Sequence, residues 1–170
     1  MLPEEGLTPE DYGADAPTHE GKLALGQMAR LAPLLADAHG EVCLSVAGRL
    51  DEKGRRVIEG TVSAELRLTC QRCLGVCSHQ VEELFRLTLV GSEAEGEELP
   101  DELEPYVSLN GEVRLIDLVE EQLLLAMPIV ARHQEGECAP PPNPAGALRE
   151  DLSPFAQLRG LFDDNNGKQS

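Results

Sequence analysis

Alternating apolar and polar positions predict three β-strands in the middle of the chain, over residues 41–48, 57–70 and 76–90. In the longest uninterrupted pattern every second residue from Val62 to Cys70 is apolar, and the residues between are polar or charged. A period of two is typical of strands with one buried face. It also fixes the register, because a shift by one residue would expose the whole apolar set. We therefore expect a mainly antiparallel sheet that contains one long hairpin.

A helical pattern follows the strands and predicts a principal helix over residues 115–127. Its apolar stripe has a spacing of three to four residues, and Pro128 ends it. The stripe consists of Ile116, Val119, Leu123 and Met127, widened by Leu115, Leu118 and Leu125. Asp117, Glu120 and Glu121 are expected on the solvent side. With short flanking helices, one of them at 27–36 around Pro33, this gives an α+β fold in which the principal helix covers the sheet.

Shorter patterns predict strands at 21–25 and 106–109, and Asn110-Gly111 predicts a two-residue hairpin turn.

Composition divides the chain into five segments. The segments are a disordered acidic stretch at 1–20, an α+β domain at 21–138 with a flexible acidic loop at 91–104, a Pro-rich linker at 139–152, a short helix at 153–162, and a disordered tail at 163–170.

Charge is distributed very unevenly along the chain. The sequence has 14 basic and 31 acidic residues and a net charge of −17. Six of the acids lie in residues 1–20 and seven in residues 91–104, and neither segment has a Lys or Arg. Such a charge disfavours non-specific binding to phosphate backbones. No secretory signal or membrane-length apolar run is found, so we expect a cytoplasmic protein.

The most distinctive motif is the pair Cys70 and Cys73 in the turn between the two longest strands. A Cys-x-x-Cys turn can supply two ligands of a four-ligand zinc site. Cys77, His79, His133 and Cys138 are candidates for the other two. The last two are the more attractive, because they follow the helix that returns the chain to the sheet. With no second Cys-x-x-Cys, the sequence favours a structural turn with reduced thiols over a metal site and, still more strongly, over a redox pair.

Two other groups of residues are candidates for contacts with a partner. A basic cluster, the only one in the chain, lies around one turn and is either a solvated hairpin tip or a contact for RNA or an acidic protein surface. It contains Arg49, Lys53, Arg55 and Arg56. An apolar stripe near the C-terminus either packs on the domain or docks on a partner. It contains Phe155, Leu158, Leu161 and Phe162.

Enzymatic motifs are missing from the sequence. It has no glycine-rich phosphate loop and no convincing Ser–His–Asp order, and no His or nucleophile shares the stripe of Asp117, Glu120 and Glu121. We predict a protein that is not an enzyme. The alternative is a metal-binding or redox protein that uses Cys70 and Cys73.

Three stretches together resemble the YceD family of bacterial and plastid proteins. They are Leu68-Thr69-Cys70-Gln71-Arg72-Cys73, the region 111–128, and Ser153-Pro154-Phe155-Ala156-Gln157-Leu158. The resemblance implies a non-catalytic role in the synthesis, processing or stability of large-subunit (23S) ribosomal RNA. Many family members have a second cysteine pair after the helix, where this chain has His133 and Cys138. The family also tends to have an Asp before the helix, at the position of Arg114.

The resemblance and the charge together predict the kind of partner. Ribosomal proteins are strongly basic, so an acidic chain of this family is expected to bind a basic ribosomal protein or a large-subunit assembly factor. Contact with ribosomal RNA would then be indirect. Zinc is the only cofactor that the cysteines suggest.

Overall fold

The computed structural model describes residues 2–3, 6–13 and 15–138, and within them the chain forms one five-stranded sheet in the order β1-β2-β3-β4-β5. The strands are β1 (His19–Ala24), β2 (Glu41–Leu50), β3 (Arg56–Thr69), β4 (Val76–Val90) and β5 (Glu104–Val107). Two α-helices accompany them, α1 (Glu93–Glu97) and α2 (Leu115–Ala126). The predicted α+β class is confirmed.

The first four strands form an antiparallel meander, as the alternation predicted. β3 and β4 make the long hairpin, with a register that runs from Val57 opposite Thr88 to Thr69 opposite Val76. β4 has the predicted bounds, while β2 extends two residues beyond its predicted end. The predicted register is also confirmed, because Val62, Ala64, Leu66 and Leu68 of β3 are all buried on one face.

Helix α2 covers the apolar face of the sheet, where Leu118, Val119 and Leu123 are completely buried. Two expectations for this helix are wrong. Leu125 is 69% exposed, and Glu120, expected on the solvent side, is only 5% exposed. The Glu120 carboxylate accepts hydrogen bonds from backbone N–H groups in an early segment of the chain, so its burial is compensated.

That early segment is not the α-helix predicted for residues 27–36. It forms two short 3₁₀ helices, Leu25–Gln27 and Ala32–Leu34. Pro33 lies inside the second, where its missing N–H is least costly because a turn this short has few internal hydrogen bonds. The Glu120 Oε1 atom accepts from the Arg30 N–H at 2.6 Å and from the Leu31 N–H at 3.1 Å.

Strand β5 begins two residues before its predicted start and, in the part of the chain that the structure describes, is the one parallel strand of a sheet expected to be mainly antiparallel. It pairs parallel to β4, with Leu87 opposite Glu104 and Val90 opposite Val107. The acidic segment before it, expected to be a flexible loop, contains α1 and reverses the chain. Asn110-Gly111 therefore does not close a hairpin with β5. The chain turns there and continues to Val113, which forms an antiparallel bridge with Leu7.

The N-terminal segment also differs from the expectation of disorder in residues 1–20. Leu7 is completely buried, Tyr12 is nearly so and bridges Gly48 of β2, and β1 begins at His19. Asp11 stabilises the turn between Leu7 and Tyr12 by accepting hydrogen bonds from the Thr8 N–H at 2.7 Å and the Thr8 hydroxyl at 2.9 Å. Two buried apolar side chains thus attach an acidic segment to the sheet.

No helix in the described part of the chain is long and apolar enough to cross a membrane. The predicted linker at 139–152, helix at 153–162 and tail at 163–170 lie outside the described residues.

Candidate metal centre

The turn between β3 and β4 is tight and rigidly hydrogen bonded. The Cys70 N–H donates to the Gly75 carbonyl at 2.8 Å, and the Leu74 N–H donates to the Cys70 carbonyl at 2.9 Å. Leu74 closes the turn in the left-handed conformation, with a φ of 62°. This backbone places the side chains of Cys70 and Cys73 on the same side of the turn as the segment that follows α2.

The segment after α2 is fastened to this turn by two hydrogen bonds. The Gln71 N–H donates to the Ala131 carbonyl at 2.9 Å, and His133 Nε2 lies 2.9 Å from the Val76 carbonyl. Pro128 ends the helix and lets residues 131–138 run back along the end of the sheet. His133 and Cys138 therefore reach Cys70 and Cys73 although they are 60 and 68 residues away in sequence.

The four candidate ligand atoms form one compact group, all within 4.8 Å of one another. Cys70 Sγ and Cys138 Sγ are 3.8 Å apart, and Cys73 Sγ is 3.5 Å from His133 Nδ1. In a tetrahedral zinc site with Zn–S bonds of about 2.3 Å and Zn–N bonds of about 2.0–2.1 Å, the corresponding separations are about 3.8 Å and 3.6 Å. The side chains thus fit a Cys₃His set for zinc.

The hydrogen bond to Val76 determines which nitrogen of His133 is available. A carbonyl oxygen only accepts, so Nε2 carries the proton and Nδ1 faces the Cys73 sulfur with its lone pair in the neutral ring. Metal-ligating histidines are usually oriented by such a hydrogen bond from the other ring nitrogen. The backbone of Val76 therefore prepares the imidazole for a ligand role.

The thiols of the group have unequal acidities. Backbone hydrogen bonds, first that of Cys73 and then those of Arg72 and His133, lower the pKa of Cys70 to about 5 against the opposing effect of burial. Burial and the neighbouring sulfurs raise the pKa of Cys138 to about 11. The hydrogen bond with Cys70 raises the pKa of His133 above its ordinary value. One sulfur is thus readily a thiolate, while another must lose its proton when it binds a cation.

The remaining candidate ligands are outside the group. Cys77 is buried, and its Sγ lies 3.5 Å from the Leu68 carbonyl. His79 lies further along β4, and Cys43 is exposed on β2. Of the alternatives open from the sequence, the structure therefore brings His133 and Cys138 to the cysteine pair and leaves Cys77 and His79 out.

Comparison with known proteins places the chain in a family. The family model described as "Large ribosomal RNA subunit accumulation protein YceD" matches residues 58–162. A protein of that name from Haemophilus influenzae is 30% identical over 149 residues, which cover 83% of this chain and 85% of the relative. The chain belongs to the YceD family. No solved structure matches it.

The YceD match includes β3 from Ile58 onward, β4, α2 and all four side chains of the candidate metal centre, and it continues to Phe162. The resemblance deduced from the three short stretches is thus confirmed. The C-terminal stripe lies within the YceD match but outside the residues that the structure describes. It contains Phe155, Leu158, Leu161 and Phe162.

The basic cluster of this YceD protein is largely used in contacts within the chain. Arg49 pairs with Glu59 and donates to the Ala16 carbonyl, and Arg55 pairs with Asp51 at 2.6 Å. Arg56 lies 5.9 Å from the centre of the Tyr12 ring. Lys53 has no ion pair among the described residues. This arrangement offers less free positive charge than the sequence suggested.

Sequence reasoning missed two contributors to the site, the Val76 carbonyl and the left-handed Leu74. The first is a backbone atom and leaves no signal in residue types. A signal for the second was available, because Gly75 directly after the Cys-x-x-Cys-Leu stretch marks a tight turn.

Proposed function

We propose that this chain is a non-enzymatic factor of ribosome biogenesis that supports the accumulation of large-subunit ribosomal RNA. The observation that carries the proposal is the 30% identity over 83% of the chain to a relative named as a large ribosomal RNA subunit accumulation protein. The surface agrees with a binding role, because the face of the sheet has depressions that are open to solvent, one of them lined by Ser45, Thr61 and Phe85.

The proposed mode of action is binding to a basic protein, a ribosomal protein or a large-subunit assembly factor. A net charge of −17 repels the phosphate backbone but attracts strongly basic partners and raises their association rates. The internal ion pairs of Arg49 and Arg55 also disfavour direct RNA binding through the basic cluster. Ribosomal RNA would then be affected indirectly.

Depletion of the protein in its native cells tests the role. The expected result is a lower ratio of large-subunit to small-subunit ribosomal RNA, restored by the wild-type chain. An unchanged ratio would contradict the proposal. Co-purification of the full-length chain from growing cells, with identification of the bound protein and RNA, tests the partner. Recovery of RNA that survives removal of all bound protein would contradict the indirect mode.

A structural zinc ion is the second proposal, and the sulfur–sulfur and sulfur–nitrogen separations favour it. Cys70, Cys73, His133 and Cys138 would hold the ion. It would link the turn of the hairpin to the segment after α2, two parts of the chain that otherwise share few hydrogen bonds. Four protein ligands leave no open position, so the ion would act in folding and not in catalysis.

Elemental analysis of protein purified without a His-tag tests the zinc proposal. We expect about one zinc per chain, and loss of it with a fall in melting temperature in the Cys70→Ala variant. The matched control is Cys43→Ala, which removes an exposed thiol outside the group. Sub-stoichiometric zinc together with a stability that a chelator leaves unchanged would contradict the proposal.

The redox alternative uses the same cysteines and is separated by their reactivity. A redox pair must be accessible, but Cys70 is buried and only Cys73 is partly exposed. With zinc bound, we expect the four ligands to react slowly with thiol reagents while Cys43 reacts at once. Rapid, reversible oxidation of Cys70 and Cys73 in the metal-loaded protein would favour the redox function instead.

A further inference from the structure

An exposed apolar surface surrounds the Cys70–Cys73 turn. We call it the apolar corner, and it consists of Leu74, Val76, Ile129 and Val130. All four side chains are at least 45% exposed, and Ile129 is fully exposed. The hydrogen bonds from Gln71 to Ala131 and from His133 to Val76 hold the two contributing segments side by side. Aliphatic side chains so concentrated at one end of a sheet are typical of a contact surface.

Leu74, one of these exposed residues, also has a strained backbone conformation. Its φ of 62° is a conformation that suits glycine and is strained for a branched side chain. The side chain is nevertheless 71% exposed, so it gains little burial in return. Strained backbone conformations cluster at functional sites, so Leu74 marks this corner as a candidate contact surface.

Two cations border the apolar corner. Arg72 and Arg132 are both exposed, and neither has an ion pair among the described residues. In a chain of net charge −17, most basic side chains have acidic neighbours available to them. A ligand for this corner should therefore combine an apolar stripe with flanking acidic groups.

The C-terminal part of this chain has that chemistry. The apolar stripe Phe155, Leu158, Leu161 and Phe162 is preceded by Glu150-Asp151 and followed by Asp163-Asp164. The connection also favours it, because the described chain ends at Cys138, whose sulfur lies 3.8 Å from that of Cys70. The 14 residues from 139 to 152 can reach at most roughly 46–50 Å when fully extended, which is ample for a return to the same corner.

We infer that residues 153–162 dock on the apolar corner of their own chain, with the flanking acids beside Arg72 and Arg132. A tether of this length gives the stripe an effective concentration in the millimolar range. A second chain at micromolar concentration would need a much higher affinity to compete. The inference does not depend on the proposed role in ribosome biogenesis or on zinc.

Methyl NMR of the full-length chain tests the docking, because the chain has only three Ile and three Phe residues. Ile δ1 methyl labelling gives signals from Ile58, Ile116 and Ile129, and Ile129→Val assigns the last. We expect nuclear Overhauser effects between the Ile129 methyl and a Phe ring, and an upfield ring-current shift of that methyl. Both should disappear in the Phe155→Ala/Phe162→Ala variant, while the Ile58 signal, deep in the core, reports that the fold is intact.

The controls distinguish the occupants of the surface. Gln157→Ala should leave the Ile129 shift unchanged, because this residue lies outside the stripe. Arg72→Glu/Arg132→Glu should weaken the effects. An Ile129 shift that is the same with and without the two Phe rings would overturn the inference. So would contacts seen only between differently labelled chains in a mixed sample, which would indicate a second copy as the occupant.

Discussion

Glu120 provides the sharpest test of how α2 is held on the sheet. Its carboxylate accepts hydrogen bonds from the Arg30 and Leu31 N–H groups and from Arg30 Nε at 2.9 Å. Glu120→Ala removes all three and leaves the buried Leu31 N–H without its acceptor. An unsatisfied buried donor costs about 1–3 kcal/mol, and a hydrogen bond to a charged group contributes about 1.5–3 kcal/mol. We expect a loss of about 3 kcal/mol in the free energy of unfolding.

Urea denaturation followed by far-ultraviolet circular dichroism measures this loss. With m-values of about 1–3 kcal/mol/M, the midpoint should fall by at least about 1 M. The control is Glu121→Ala, one residue further along the helix. Its carboxylate is half exposed and 3.8 Å from the Arg30 guanidinium, so it should change stability by less than about 0.5 kcal/mol. Equal midpoints for the two variants would refute the role assigned to Glu120.

The pH dependence of the same contact has a definite sign. Burial raises the pKa of Glu120, but the hydrogen bonds from Arg30 and Leu31 outweigh it and leave the pKa below its ordinary value. A carboxyl group with a lowered folded-state pKa stabilises the protein above its unfolded-state pKa and loses this effect as the pH falls through the folded-state value. The stability difference between wild type and Glu120→Gln should therefore be largest near pH 7 and shrink in acid.

Three further predictions concern local contacts and backbone conformation. Gly48→Ala should destabilise the protein by about 1–3 kcal/mol, because the new Cβ would lie 2.5 Å from the Asp11 carbonyl oxygen. The control is Gly13→Ala, whose new Cβ meets nothing closer than 4.0 Å, and equal melting temperatures for the two variants would show that the N-terminal segment does not lie against β2. Asp11→Ala should lower the free energy of unfolding by about 1 kcal/mol, because it removes the hydrogen bonds from Thr8. Its control, Glu10→Ala, should leave the stability nearly unchanged, and equal melting temperatures for the two variants would contradict the prediction. Leu74→Gly should raise the free energy of unfolding by up to about 1 kcal/mol, since glycine accepts a φ of 62° without strain. A clear fall in the urea midpoint of unfolding would refute the strain at this position.

The strands were predictable because their signal is local. A period of two along β3 and β4 identifies the buried face without knowledge of any other element. The environment of Glu120 is not local, since its hydrogen-bond donors lie about ninety positions earlier in the chain. An apolar stripe on a helix cannot reveal such donors, so the sequence pattern places Glu120 on the solvent side together with Asp117 and Glu121. The parallel pairing of β5 could not be predicted for a similar reason, because the chain reversal that produces it occurs in an acidic segment without a strong hydrophobic pattern.

The candidate metal centre shows the same division. Cys70 and Cys73 are visible as a motif, and His133 and Cys138 are two of the four residues whose chemistry and position could complete it. The sequence nevertheless favoured a turn with reduced thiols, because a single cysteine after α2 did not repeat the pair. What the sequence could not show is that Pro128 and the bond from Gln71 to Ala131 bring the later segment within 4.8 Å of the earlier one.

The position of α2 in the chain has a consequence for synthesis on the ribosome. Strands β1 to β4 can pair in the order in which they emerge, since each is adjacent to the one before it. The helix that covers their apolar face emerges much later, and roughly 75 residues separate the end of β2 from the end of α2, which corresponds to about 4–15 s of translation at about 5–20 residues per second. Until α2 emerges, the apolar faces of β3 and β4 lack the helix that contacts them in the folded protein. The chain therefore passes through a stage of exposed apolar surface, in which aggregation competes with completion of the fold.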